Sequence, residues 1–153
     1  MRIDPGLLPY VDEHSTIVES PPGSTWEALQ KVVERSFEGG ATPRVAGLVG
    51  CDDRAASGPR PLAVGSTVPG FHVAGAEPQR ELVLVGAHRF SRYALSFRLD
   101  DLGGGRTRLR AETRAEFPGL KGSIYRALVI GTRMHVLVTR RLLAAVRVRA
   151  ERR

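Results

Sequence analysis

His135 is the residue of this sequence whose type and position are best suited to chemistry. An unperturbed imidazole titrates near pH ~6.5, so it can donate, accept or move a proton at neutral pH. His135 lies in the middle of a long apolar segment and shares a helical face with Thr139 and Leu142. It is either a polar group that orients a ligand or acts as general acid or base, or a buried histidine bonded to a neighbouring hydroxyl or carbonyl.

Tyrosine and glutamate side chains are further candidates. Tyr93 and Tyr125 could present hydroxyls to a ligand, and Tyr93 could assist His135 in acid/base chemistry, although buried tyrosines commonly pack and make one hydrogen bond. Glu112 and Glu116 are also acid/base types, but strand alternation places both on an outer face among arginines. That placement favours a surface ladder of weak ion pairs.

Several classes of site lose support because their motifs are absent. The sequence contains no G-x-S-x-G, G-x-x-x-x-G-K, G-x-G-x-x-G or H-E-x-x-H pattern, which argues against standard hydrolase, nucleotide-binding and zinc-protease sites. Cys51 is the single cysteine, so an internal disulfide and a multi-cysteine metal site are excluded. We expect no metal and no cofactor.

The net charge of +7 is concentrated at the end of the chain. Residues 121–153 carry nine Lys or Arg and one Glu, a balance of +8, whereas residues 1–120 carry fourteen and fifteen, a balance of −1. A solvated helix face is the simplest interpretation; an anionic membrane or a second subunit is the alternative. No nucleic-acid-binding motif is visible, so that partner is not expected. Four arginines recur every seven residues on one side of this segment and form a stripe, with Ile130 and Leu137 among them: Arg126, Arg133, Arg140 and Arg147.

The element that positions His135 is a predicted helix over about 121–150. Apolar or small residues recur there at spacings of three and four, and no proline follows Pro118, which is typical of a packed helix. The residues of its inner face are Ile124, Leu128, Gly131, His135, Thr139, Leu142 and Val146.

The preceding chain predicts strands and one short helix. Residues 91–100 and 107–117 alternate well and are joined by DDLGGGR, which predicts a hairpin. Further strands are predicted over 14–20, 66–73 and 80–86, and an amphipathic helix runs from a capping box at Ser24 to about Phe37. Residues 38–65 form a Gly- and Pro-rich stretch that is either a lid or a simple loop. Residues 1–13 are interpreted as an N-terminal arm, anchored by Leu7, Leu8 and Tyr10, and residues 14–153 as a single domain.

This order of elements resembles the helix-grip fold of the START/SRPBCC superfamily, which includes polyketide cyclase/dehydrase proteins and lipid-transfer domains. The matching features are HSTIVESPPGSTWEAL with Trp26 early in its helix, the meander from Ser66 to Phe117, and the final helix from Lys121. The segments HRFSRYALSFRLD and RAETRAEFPGLKGSIYRALVIGTRMH are similar to a bacterial branch of it. The implied fold is α+β, with about six to seven curved antiparallel strands wrapped around the C-terminal helix.

The resemblance implies a cavity between sheet and helix, although large neighbours could close it into a solid core. Small inner-face residues favour a pocket. We expect a small hydrophobic or amphipathic ligand, lipid- or polyketide-like, and as an alternative a cyclase, dehydratase or isomerase with His135 as acid/base. The absence of a span-length apolar run and of a signal pattern indicates a cytoplasmic protein. The expected ligand-binding residues are Trp26, Tyr93, Leu95, Phe97, Ala111, Thr113, Ala115, Leu128, Gly131, His135, Thr139 and Leu142.

Overall fold

A six-stranded antiparallel sheet and two packed helices make up the frame of the protein. The computed structural model describes residues 3–38, 55–89, 91–129 and 133–152. The strand order is β1-β6-β5-β4-β3-β2, which confirms the predicted α+β class and strand number. The elements are a 3-10 turn at Pro5–Leu7, β1 Tyr10–Val18, α1 Pro22–Glu38, β2 Thr67–Val68, β3 Phe71–Glu77, β4 Glu81–Ala87, β5 Arg92–Gly103, β6 Arg106–Glu116, α2 Gly119–Val129 and α3 Met134–Glu151.

The C-terminal segment is two helices rather than the single helix predicted over 121–150. Arg133 has a left-handed backbone, with φ 58°, and α3 begins at the next residue. A left-handed residue cannot continue a right-handed helix, so the helical path is interrupted at this point. Apolar periodicity reports which face is buried and says little about continuity. The available signal was Gly131-Thr132, a pair of weak helix formers. The long C-terminal helix of the fold is α3.

The long helix α3 runs parallel to β1 and is tied to it near both ends. In its first turn His135 Nε2 lies 2.7 Å from Asp12 Oδ2. At its last residue, Glu151 accepts a hydrogen bond from the backbone N–H of Glu19, at 2.9 Å. The 16 residues from His135 to Glu151 rise about 24 Å at 1.5 Å each, and the seven from Asp12 to Glu19 span about 24 Å in a strand. The two elements therefore match in length.

The hydrophobic core fills the space between the inner face of the sheet and helices α1 and α3. Strand alternation sets that face, and Phe97 and Leu109 are fully buried on it. The predicted apolar face of α1 is confirmed, since Trp26, Leu29 and Val33 are buried in the same cluster. From α3 the cluster includes Leu142, Leu143 and Val146. Ile124, predicted on the inner face, is instead 58% exposed on α2, because its helix is separate from α3.

The outer face of the sheet carries the predicted ladder of ion pairs. Glu112 accepts from Arg114 at 2.6 Å and pairs with Arg98 at 3.4 Å. Glu116 lies 3.8 Å from Arg92. Both glutamates thus lie on the charged outer surface, as the alternation of β6 predicts.

The N-terminal residues pack on the outer face of β4 and β5. Leu8 is buried against Val85 and Ala94, whereas Leu7 and Tyr10, also predicted as anchors, are 84% and 57% exposed. Strand β1 begins at Tyr10, four residues before the predicted start. A backbone hydrogen bond from Ala115 to the Pro9 carbonyl, at 2.9 Å, fixes this entry into the sheet.

Some expectations fall on residues outside the description. These are residues 39–54 of the stretch interpreted as a lid or loop, which include Cys51, and the inner-face residue Gly131 with its neighbour Ile130. The side chains of Tyr125 and Leu128 are also outside it. No helix among the described residues is long and apolar enough to cross a membrane.

Candidate ligand-binding site

The two ends of the sheet's inner face differ in polarity and exposure. Toward the β5–β6 hairpin, Leu99 and Leu109 belong to the closed hydrophobic core. Toward the other end the same strands carry Tyr93 and Thr113, which are half-buried. We call this second region the polar end and define it by Asp12, His14, Tyr93, Thr113 and His135. All five side chains lie on the inner side of the sheet or face it from α3.

Asp12 joins two histidines from different elements. Alternation on β1 places Asp12 and His14 on the same face, and the first turn of α3 brings His135 above them. His135 Nε2 and His14 Nε2 lie 2.7 and 3.1 Å from the same oxygen, Asp12 Oδ2. A carboxylate only accepts hydrogen bonds, so each imidazole presents an Nε2–H to it. The cluster is therefore polarised, with the negative charge at Asp12 and the histidines as donors.

This arrangement leaves one nitrogen of His135 unused. When Nε2 carries the proton, Nδ1 of a neutral imidazole is an acceptor. Nδ1 of His135 is buried and has no hydrogen-bond partner among the described residues, and the same holds for Asp12 Oδ1. A carboxylate that fixes the tautomer of a histidine also orients its second nitrogen toward an incoming group. His135 can therefore accept a proton or a hydrogen bond from a bound molecule.

Thr139 donates its hydroxyl proton within its own helix rather than to a ligand. Its hydroxyl donates to the backbone carbonyl of His135, at 2.7 Å, and the side chain is almost fully buried. Bonding to the carbonyl four residues back is a common habit of threonine in helices. Because its proton is used in this bond, the Thr139 hydroxyl has none to donate to a ligand.

Tyr93 is fixed on the far side of the polar end by a close approach of two backbones. Its hydroxyl donates to the Gly70 carbonyl at 2.6 Å, and its ring meets Phe71 edge-on at 5.1 Å. Gly86 lies opposite Tyr93 in the sheet, and a Cβ there would come within 2.5 Å of the ring and clash with the Gly70 carbonyl. With its proton donated to Gly70, the Tyr93 hydroxyl can accept from a ligand but not donate. While this bond is made, Tyr93 cannot donate a proton to a ligand as the acid/base partner predicted for His135.

His88 lies beside Tyr93, at the turn between β4 and β5. Its Nε2 is 3.0 Å from the Ser91 hydroxyl, and its ring centroid is 5.5 Å from that of Tyr93. Burial lowers the pKa of His88 below the ordinary value, because a buried imidazole resists protonation. It therefore favours the neutral form at this edge of the site.

The predicted ligand-binding residues fall into two groups. Trp26, Leu95, Phe97, Ala111 and Leu142 are members of the closed core. Tyr93, Thr113 and His135 belong to the polar end, and Ala115, which is 7% exposed, lies opposite Tyr93 in the sheet.

Sequence reasoning missed Asp12 and His14. Their signal was a D-x-H pair at strand spacing, within a segment interpreted partly as an arm. Among the described residues, no group of three His, Cys, Asp or Glu has the arrangement of a metal site.

A separate groove of about 760 Å³ lies beside the β3–β4 turn. Its charged side chains are largely satisfied by one another: Glu81 accepts from Arg98 at 3.1 Å, and Asp100 lies 2.8 Å from Arg110. Paired charges offer a ligand little uncompensated bonding capacity. The polar end, with acceptors that remain free among the described residues, is the better candidate.

The architecture matches solved structures over nearly the whole chain. The Zhui aromatase/cyclase from Streptomyces sp. R1128 is 16% identical, with 95% of each chain covered and a TM-score of 0.59. Ara h 8.0201 is 6% identical; the match covers 91% of this chain and 95% of Ara h 8.0201, with a TM-score of 0.55. Mll3558 from Rhizobium loti is 20% identical; the match covers 90% of this chain and 94% of Mll3558, with a TM-score of 0.52. No family model and no curated protein sequence matches the chain.

These likenesses define the fold. The chain shares the helix-grip fold of these solved structures, which is the fold that its sequence resemblance predicts. At such identities the comparison extends to architecture alone, since one fold hosts many activities. Function has to be argued from the polar end itself.

Proposed function

We propose that the protein binds a small amphipathic molecule at the polar end, between the sheet and the C-terminal helices. The observation that carries this proposal is the half-buried inner face beside a closed core, where Asp12, His14, His135, Tyr93 and Thr113 converge. Ligand sites are typically apolar concavities with a few converging polar groups. The fold shared with an aromatase/cyclase is compatible with a small-molecule site at this position.

The chemistry of the walls suggests the form of the ligand. Ala115 and the ring of Tyr93 offer apolar surface, whereas His135 Nδ1 and Asp12 Oδ1 are acceptors without a partner among the described residues. Asp12 on β1 and Tyr93 on β5 are two strands apart in the sheet, a separation of about 10 Å. A ligand with a flat apolar body and a hydroxyl group would contact the apolar surface and donate a hydrogen bond to an acceptor. A polycyclic phenol fits this description better than a fully apolar chain.

Binding can be tested with variants that differ only in which face of the sheet they fill. Thr113→Phe places a ring into the polar end, whereas Ser15→Phe places one on the exposed outer face of β1. We expect fluorescent polycyclic phenols and fatty acids to bind the parent protein and Ser15→Phe saturably. Thr113→Phe should weaken binding by about tenfold or more, equivalent to about 1.4 kcal/mol. Equal affinity of all three proteins would place the ligand elsewhere.

A second candidate function is favoured by the His135–Asp12 pair. We propose, as the alternative, that the site performs acid/base chemistry on an enolisable carbonyl compound, in a cyclase, dehydratase or isomerase reaction. His135 Nδ1 would accept the proton, and Asp12 would hold the tautomer and stabilise the imidazolium that forms. Such a pair accounts for a factor of about 10² to 10⁴ in rate.

The two candidates predict different responses of one variant. If the site catalyses a reaction, His135→Ala abolishes turnover of an enolisable diketone while its dissociation constant changes little. If the site only binds, no turnover is found, and His135→Ala weakens binding of the same diketone. Asp12→Asn separates the roles further. If Asp12 positions His135 for catalysis, loss of its carboxylate lowers kcat and alters the pH profile of the reaction, while KM is unchanged.

A further inference from the structure

We propose that the exposed face of α3 docks on an anionic lipid surface. This inference is independent of what occupies the polar end. It rests on the arrangement of aliphatic and arginine side chains around the helix, on the charge of the segment, and on the opposite face of α3 being the one that packs in the core. The exposed aliphatic and arginine side chains can be changed by substitution without touching the core.

The exposed arc of α3 has an aliphatic strip at its centre. Leu137 and Val148 are 44% and 52% exposed, and Ala144 is also exposed. At about 100° per residue these three side chains fall within an arc of about 40°. The buried residues Leu142 and Val146 lie on the opposite side. We call Leu137, Ala144 and Val148 the aliphatic strip.

Arginines flank the aliphatic strip on both sides. By the same helical geometry Arg140 and Arg147 lie along one edge of the strip, and Arg141 lies along the other; all three are exposed. Arginine can lay its methylene stem along an apolar surface while its guanidinium reaches outward. A helix with an apolar centre and cationic margins is suited to lie in the plane of a membrane interface.

The charge of the segment selects an anionic partner. Residues 133–152 include six arginines and one acidic residue, Glu151. Glu151 already pairs with Arg147 at 3.3 Å and accepts from the Glu19 N–H. The face therefore presents a strong positive field. Each arginine near a surface of anionic lipids raises the binding affinity about fivefold, which corresponds to about 1 kcal/mol.

A second copy of the chain fits this face less well. A two-fold contact would set the same arginines against each other across the interface, and like charges at short range repel. Three small or medium aliphatic side chains are also far from the roughly 1,200 Å² that a stable dimer buries. A lipid surface avoids both problems, because phosphates meet the arginines and acyl chains meet the strip.

The test is co-sedimentation of the full chain with vesicles of two compositions. We expect the protein to sediment with equimolar phosphatidylcholine and phosphatidylserine, to be released by high salt, and to remain in solution with phosphatidylcholine alone. Arg140→Gln with Arg147→Gln should weaken the binding by about 25-fold, from about fivefold for each charge. Leu137→Ser with Val148→Ser should weaken it at unchanged net charge.

A matched pair of exposed arginines away from α3 supplies the control. Arg80→Gln with Arg106→Gln removes the same charge from side chains that are 75% and 49% exposed, and it should leave most of the binding intact. Absence of binding to the anionic vesicles would overturn the proposal. An equal loss of vesicle binding in the control pair would also overturn it, because that result would indicate an effect of net charge alone. A dimer in size-exclusion chromatography that Leu137→Ser dissociates would overturn it as well. Unchanged unfolding midpoints of the variants show that the fold is kept.

Discussion

Asp12 shows how a single carboxylate can organise side chains from distant parts of the chain. It receives hydrogen bonds from His14, two residues away, and from His135, which is 123 residues away. His135 could be chosen from sequence because it is a polar residue on an apolar helical face. The D-x-H spacing was a local signal for Asp12 and His14, but the pairing of Asp12 with His135 could not be predicted, because it depends on how α3 is placed over β1. Long-range pairing of this kind is absent from any local pattern.

The Asp12 cluster predicts unequal effects for two neighbouring acidic residues. Asp12→Ala leaves two Nε2–H groups without their acceptor, and we expect a loss of about 1–3 kcal/mol in the free energy of unfolding. Glu13→Ala removes an outward ion pair with Arg110 at 3.3 Å and should cost less than about 1 kcal/mol. Urea unfolding of both variants provides the comparison. An equal loss in the two would contradict the structural role assigned to Asp12.

Gly86 predicts a steric requirement beneath Tyr93. Gly86→Ala places a methyl group against the Tyr93 ring and the Gly70 carbonyl, and overpacking of this kind costs about 1–3 kcal/mol. Gly75→Ala is the matched control, since its Cβ would meet Val83 at an ordinary 3.5 Å. The unfolding midpoint in urea should fall clearly for Gly86→Ala and little for Gly75→Ala. The reverse order would contradict the packing of Tyr93 described above.

His88 predicts a pH dependence of stability on the acid side. Its folded-state pKa lies below the ordinary histidine value because of burial, so the unfolded chain binds the proton more readily. Stability is therefore lost as pH falls from about 6.5 toward the folded-state pKa. His88→Gln removes this proton uptake, and its unfolding free energy should fall less than that of the parent protein on acidification. An identical acid response of the two proteins would argue against this contribution.

At the scale of elements, the helix faces and strand alternation were predictable, whereas the break in the C-terminal segment was not. Alternation in β5 and β6 fixed which side chains face the core, and the burial of Leu95, Phe97 and Leu109 agrees. Among the described residues, the break is marked by the left-handed backbone of Arg133, and arginine carries no signal for that conformation. Hydrophobic period alone could not distinguish one helix from two.

The left-handed backbone of Arg133 predicts opposite outcomes for one substitution at two positions. Arg133→Gly relieves a conformation that costs a non-glycine residue about 1 kcal/mol, so the unfolding free energy should rise or stay level. Arg140→Gly places glycine inside α3, where it should destabilise by about 1 kcal/mol. Thermal and urea unfolding of both variants give the comparison. A loss at Arg133 equal to that at Arg140 would indicate a helix that continues through this position.

At the scale of the molecule, the two faces of α3 serve different proposed roles. The buried face packs in the core and carries His135 above Asp12, whereas the exposed face carries the aliphatic strip and its arginines. The fold class was predictable because the longer elements repeat a clear period and their order resembles a known fold, which also implied the number of strands. The division of the interior into a closed core and a polar end was not, since it depends on how large residues such as Phe97 and Trp26 fill the space.

The most direct test of the central proposal is an amide NMR titration with a neutral hydroxynaphthalene and a hydroxyanthracene. Neutral probes avoid attraction to the arginines of α3. We expect saturable shifts at Asp12, Tyr93, Thr113, Ala115 and His135, small changes in the closed core around Leu109, and loss of the effect in Thr113→Phe. Saturable shifts elsewhere, or none at the polar end with either probe, would contradict a ligand site between the sheet and the C-terminal helix.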